Sequence, residues 1–190
     1  MPARIRPYQE KLMRMLDLFA GLGGASAAMS ARGWEVVTVD NEPKFDCTHT
    51  ADLTRWHYAG PPVDLVWASP PCTEFSRESM PWCRTGAVPS LDLVNAARRI
   101  IAEVKPTWWV VENVRGARKH VSPSLGEPQI YGPFFLWGTF PTFRCRVRGF
   151  KERLSSTARA RRAKVPYALS LALAVACETQ VRNLKLMGAT

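Results

Sequence analysis

Residues 12–24 (LMRMLDLFAGLGG) carry the feature that most narrows the fold: an apolar run that passes directly into a glycine cluster. Followed by the small residues ASAAMSAR, this pattern predicts a strand over 12–19, a tight turn at 21–24 and a helix over 25–32. A second strand, EVVTVD, follows at 35–40, and a short third strand is expected near Thr50–Leu53. The run VDLVWAS at 63–69 is Val-rich and stopped by Pro70 and Pro71, which suits a strand buried on both faces. Ser90 or Asp92 caps a helix through about Val104, with Leu91, Val94, Ile101 and Val104 on one face. Pro106 ends it, and WWVVENV at 108–114 reads as another buried strand. Strands separated by helix-length segments imply a parallel sheet: a doubly wound α/β fold, Rossmann-like, with helices on both faces.

Beyond residue 115 the pattern weakens. The stretch 122–143 is rich in proline and glycine and holds GPFFLWGTF, a last strand or hairpin. Residues 144–164 contain nine Lys or Arg against one Glu, and so supply most of the chain's net charge of +10. Residues 166–183 read as a C-terminal helix that packs back on the core. With 190 residues, 46% of them hydrophobic, the chain is expected to form one domain, 1–190, with 122–164 as a basic substrate-recognition segment. The charge favours a polyanionic partner. No apolar run is long enough to span a bilayer, and MPARIRPYQEKLMR lacks the apolar centre of a secretory signal, so a cytoplasmic protein without membrane partners is expected. Cysteines at 47, 72, 83, 145 and 177 include no CxxC pair, which indicates neither a disulfide framework nor a zinc site.

Three features bear on chemistry. The first is DLFAGLGG at 17–24, where a glycine turn lets backbone N–H groups approach a ligand. Alone it fits a turn that binds nothing equally well. Asp40, which closes the next strand about twenty residues on, adds a carboxylate placed to accept ribose hydroxyls. Asp52 and Leu53 would then flank an adenine. These residues fit an adenosine-containing cofactor without separating a dinucleotide from S-adenosylmethionine. The second feature is SPPCTEFS at 69–76: two prolines stiffen the turn after a central strand, and Cys72 follows where ligands of such folds bind. A thiol there is a candidate nucleophile, its pKa expected to be lowered by helix N–H groups or cations. The third is Glu112, a carboxylate interrupting an apolar strand. It is either a structural hydrogen-bonding group or, if the two strands are neighbours, an acid beside Cys72 whose burial raises its pKa.

DLFAGLGG, VVTVDNEP, SPPCTEFS and VVENV stand in the order and approximate spacing of the cytosine-C5 DNA methyltransferase family, which residues 14–116 resemble. The resemblance implies a methyltransferase fold with S-adenosyl-L-methionine as donor. Asp17, Phe19, Gly21 and Gly23 would line its methionine and adenosine, Asp40 and Asn41 the ribose and adenine, and Asp52 the adenine amino group, with Leu53 and Pro70 completing the contacts. It further implies attack by Cys72 on cytosine carbon-6 and an interaction of Glu112 with nitrogen-3. Arg144, Arg146 and Arg148 resemble the family's downstream Arg-rich motif, which puts Arg146 and Arg148 among the candidate catalytic residues. AKVPYALSLALA at 163–174 looks like the tail of a late family motif without its Gly-Asn. Too few residues intervene for a full target-recognition domain, and the pattern looks most like compact phage-encoded methylases, whose location would be the host cytoplasm. DNA is the partner implied. RNA or single-stranded DNA, a protein partner supplying recognition, and a non-catalytic binding module are the alternatives. Amino-group methyltransferases are disfavoured, because they place an aromatic residue where this chain has Cys72.

Overall fold

A computed structural model describes residues 12–76, 88–147 and 164–188. Seven strands form one sheet: β1 Arg14–Leu18, β2 Glu35–Asp40, β3 His49–Thr50, β4 Leu65–Ala68, β5 Trp108–Asn113, β6 Gln129–Tyr131 and β7 Phe134–Thr139. Their order is β3-β2-β1-β4-β5-β7-β6. The first five run parallel, and β7 lies antiparallel between β5 and β6. The central strands β1, β4 and β5 are apolar on both faces because both faces are covered.

Alternate residues of each strand feed two separate cores. Met15, Leu65, Trp67, Trp108 and Val110 project to one face, where α1 (Ala27–Ala31) and α5 (Tyr167–Gly188) cover them with Met29, Leu169, Leu173 and Cys177. Leu16, Leu18, Val66, Ala68 and Val111 project to the other face, beneath α3 (Asp92–Val104) and α4 (Arg118–Leu125). This is the expected doubly wound α/β sheet. α3 starts at Asp92 with Leu91 at the N-cap, so neither Ser90 nor Asp92 holds the cap position expected of it; Ser90 Oγ instead accepts the Asp92 N–H at 3.1 Å.

Three elements differ from expectation. β3 is two exposed residues and ends at Thr50, because Asp52 turns the chain out of the sheet by accepting the Thr54 N–H and hydroxyl. The 118–125 stretch is a helix despite its internal Pro123, and it precedes the hairpin of β6 and β7. The C-terminal helix runs five residues further than expected, to Gly188, and leaves Leu184, Leu186 and Met187 exposed. Among the described residues no helix is long and apolar enough to cross a membrane.

Candidate active site at the carboxyl edge of the sheet

Strand β1 leaves the sheet through a backbone that only a tight loop requires. Phe19 adopts φ +58°, a left-handed conformation that costs a non-glycine residue about 1–3 kcal/mol, and Gly21 and Gly23 follow at +52° and +64°. Asp40, at the end of the neighbouring β2, holds this loop. One carboxylate oxygen accepts the Gly21 N–H at 2.9 Å and the other the Glu42 N–H at 3.0 Å. The loop borders an open cavity of about 120 Å³ whose walls include Asp17, Gly21, Phe45, Ser69 and Lys164. Asp17 is 1% exposed, and neither of its carboxylate oxygens has a hydrogen-bond partner. Burial pushes its pKa up to about 7; the Ser26 hydroxyl and N–H pull the other way without completing a bond. A buried acceptor of this kind, beside a glycine loop, is suited to a cationic or N–H-bearing ligand group.

The second half of the site lies on the next two strands. Asp17, Ser69 and Glu112 share the parity of Met15, Trp67 and Val110, so all three project from the face covered by α1 and α5. β4 and β5 are adjacent, with Ala68 opposite Val111, which sets Glu112 beside Ser69 and the following Pro70-Pro71-Cys72 turn. Glu112 is 8% exposed, and burial raises its pKa to about 7, opposed by a hydrogen bond from Ser69. The Trp67 indole N–H donates to Ser69 Oγ at 2.7 Å, which leaves the serine proton for the carboxylate.

Cys72 is half-buried before the short helix α2 (Thr73–Ser76). Here the expectation of a lowered pKa is corrected. Burial raises it first and the Glu112 charge raises it further, while a hydrogen bond with Ser76 only partly offsets them. Cys72 therefore rests as a thiol. Its turn is clamped from β5: Asn113 Nδ2 donates to the Pro70 carbonyl at 2.9 Å, and Asn113 Oδ1 accepts the Val114 N–H. Gly116 closes the clamp, since a Cβ there would lie 2.1 Å from the Phe75 carbonyl oxygen.

The remaining candidates are placed as follows. Phe19, Gly21, Gly23 and Asp40 gather at the loop, Asn41 and Asp52 are exposed beyond it, and Pro70 is buried at the Cys72 turn. Leu53, 3% exposed, packs in the core beneath α3. Arg144 and Arg146 face solvent on a strap whose alternate residues Phe143, Cys145 and Val147 pack inward. Val147 lies against the Gly132 turn of the β6–β7 hairpin, at the same edge as Cys72. Arg148 and the basic residues to 163 lie outside the described residues, as do Arg77, Trp82 and Arg84 of the loop after Cys72. Ser69, Asn113, Gly116 and Lys164 emerge only from the geometry. All four sit inside or beside motifs the sequence displays, but nothing local marks their partners.

A family model described as C-5 cytosine-specific DNA methylase matches residues 13–124. A protein of Frog virus 3 (isolate Goorha) named "Probable DNA (cytosine-5)-methyltransferase" is 34% identical over 117 residues, which cover 53% of this chain and 53% of that protein. The type II methyltransferases M.HgiDI and M.HgiGI of Herpetosiphon aurantiacus are each 30% identical over 121 residues. Those alignments cover 56% of this chain in both cases, with 38% of the first enzyme and 94% of the second. The chain thus spans about half the length of the viral relative and less of M.HgiDI.

Proposed function

The chain belongs to the C-5 cytosine-specific DNA methylase family, and from that premise we propose that it methylates carbon-5 of cytosine in DNA. S-adenosylmethionine is the donor in this reading, and Cys72 is the covalent nucleophile. The observation that carries the proposal is the pairing of a half-buried thiol with a buried carboxyl of pKa about 7, at the ends of adjacent strands beside a cavity.

The cavity suits the donor. Asp17 is an unpartnered acceptor for an ammonium group, and Gly21, Leu22 and Phe45 form a wall for the nucleoside. When bound, S-adenosylmethionine supplies an electrophilic methyl group. The protein's own groups must make cytosine carbon-5 nucleophilic enough to take it. Glu112, its pKa raised to about 7 by burial, donates from its protonated form to nitrogen-3 and offsets the charge that develops in the ring. Cys72 Sγ, once it has lost its proton to solvent water, adds to carbon-6. The new C–S bond draws the C5–C6 double-bond electrons into an enamine centred on carbon-5. After methyl transfer, loss of the carbon-5 proton to solvent water and departure of the thiolate restore the double bond. The two side chains are coupled. A charged Glu112 opposes thiolate formation at Cys72, so protonation of Glu112 favours both the nitrogen-3 contact and the nucleophile. Trp67 and Ser69 orient the carboxyl, and Asn113 orients the turn that carries the thiol.

Recognition of DNA belongs to the same reading. Val147 and Lys164, the described residues on either side of the basic stretch 148–163, both lie at the active edge, which supports a role for the cations of that stretch in holding DNA phosphates. The test is base-resolution methylation sequencing of DNA and RNA from cells expressing the chain or its Cys72→Ser variant. The expected result is 5-methylcytosine in DNA that is absent with the variant. Modification confined to RNA, or unaffected by the substitution, would overturn the proposal.

A further inference from the structure

The cavity beside the glycine loop carries one pair of opposite charges. Among the described residues that line it, Asp17 is the one anion and Lys164 the one cation. They make no ion pair with each other, since both Asp17 oxygens lack a partner. Lys164 lies well beyond the segment matched by the family model.

The stem of the exposed lysine nonetheless packs against the cavity wall. A Cβ on Gly24 would come within 2.6 Å of Lys164 Cγ and of the Val165 carbonyl oxygen, so the backbone of the glycine loop and the stem of Lys164 are in direct contact. Val165 is buried. Five residues on, Ser170 Oγ donates to the Ala25 carbonyl and accepts the Ala28 N–H at 3.2 Å, tying α5 to the first turn of α1. Gly24, Lys164 and Ser170 thus join the start of α5 to the loop that forms the cavity wall.

We propose that Lys164 is the carboxylate anchor of this cavity: it pairs with the α-carboxylate of the methionine half of the donor, while Asp17 faces the α-ammonium. A zwitterionic amino-acid group presents those two charges on one carbon, and a cavity with a buried carboxylate and a single lysine matches them with opposite signs. This inference rests on the donor proposed above.

The experiment is calorimetric titration of wild type, Lys164→Gln and Lys164→Arg with S-adenosylhomocysteine. S-adenosyl-3-thiopropylamine, which keeps the amine and lacks the carboxylate, is titrated in parallel. Lys164→Gln should weaken S-adenosylhomocysteine binding about tenfold and leave the decarboxylated compound unchanged, with Lys164→Arg restoring most of the loss. Equal weakening toward both compounds, or no weakening toward either, would overturn the anchor while leaving the donor assignment intact. Failure of the wild type to bind any adenosyl compound would instead overturn the donor reading and the anchor with it. Melting curves of the three proteins should coincide, because Lys164 is exposed.

Discussion

Gly116→Ala is a one-carbon wedge driven between the two strand ends that form the site. A Cβ at this position would sit 2.1 Å from the Phe75 carbonyl oxygen, so the two segments must separate by roughly 1 Å to reach an ordinary contact. Gly116 does not have positive φ, so alanine adds bulk without backbone strain. The side that yields is set by anchoring. The turn Arg115–Ala117 is pinned by Ala117 and Val121, both fully buried. The four-residue helix α2 is held chiefly by Phe75 and by the Asn113–Pro70 bond. Displacement of α2 carries Cys72 with it, because the Cys72 carbonyl accepts the Ser76 N–H at 2.9 Å within that turn. A shift of about 1 Å in a reacting atom lowers a rate by on the order of 100-fold, or about 3 kcal/mol of barrier. Methyl transfer to a cytosine-containing duplex should fall by that factor. Affinity for S-adenosylhomocysteine should hold within about twofold, since no residue of α2 lines the cavity. Wild-type turnover in a folded Gly116→Ala protein would refute the clamp and the positioning role assigned to it.

Glu112→Gln should separate stability from activity. The folded pKa of about 7 lies above the ordinary 4.5, so burial of the neutral acid contributes stability fully below about pH 4.5 and loses it as pH rises through 7. Denaturant melts at pH 8 should show Glu112→Gln more stable than wild type by up to about 3 kcal/mol, with the difference vanishing near pH 4.5, while methylation is lost at both. Wild-type kcat/KM should decline above pH 7 for the same reason. Ser170→Ala removes the partner of the Ala28 N–H and Ala25 carbonyl and should destabilise the fold by about 1–3 kcal/mol in urea, with weaker cofactor binding. Replacing Arg159, Arg161 and Arg162 with Gln should reduce the dependence of log affinity for DNA on log salt by roughly 2–3, at all sequences alike, and leave cofactor affinity unchanged.

Local pattern reveals the elements whose signals agree with their environment. β2 is legible to the residue because EVVTVD starts after Gly33 and ends on a carboxylate, and α3 because its apolar face and the following Pro106 coincide. α4 is hidden because Pro123 argues against a helix and Val121 is its one fully buried residue. β3 is displaced because Asp52 prefers its own local turn to the ladder. At the site, Cys72 and Glu112 announce themselves as polar residues where apolar strands end. The direction of the Cys72 pKa does not, because it depends on how deeply a neighbouring strand buries the thiol. Contacts such as Asn113 to Pro70, Ser69 to Glu112 and Gly24 to Lys164 span 43, 43 and 140 residues of chain, and no local window contains both partners.

The most direct measurement of the proposed chemistry is covalent trapping with duplex DNA that carries 5-fluorocytosine, in the presence of S-adenosylmethionine. Fluorine at carbon-5 blocks the final elimination, so a thiolate that has added to carbon-6 stays bonded after methyl transfer. A denaturation-resistant adduct mapped by mass spectrometry to Cys72, absent in Cys72→Ser and formed normally when Cys47, Cys145 and Cys177 are replaced, is the expected result. An adduct on another cysteine, or methylation of ordinary DNA by the Cys72→Ser protein, would contradict it.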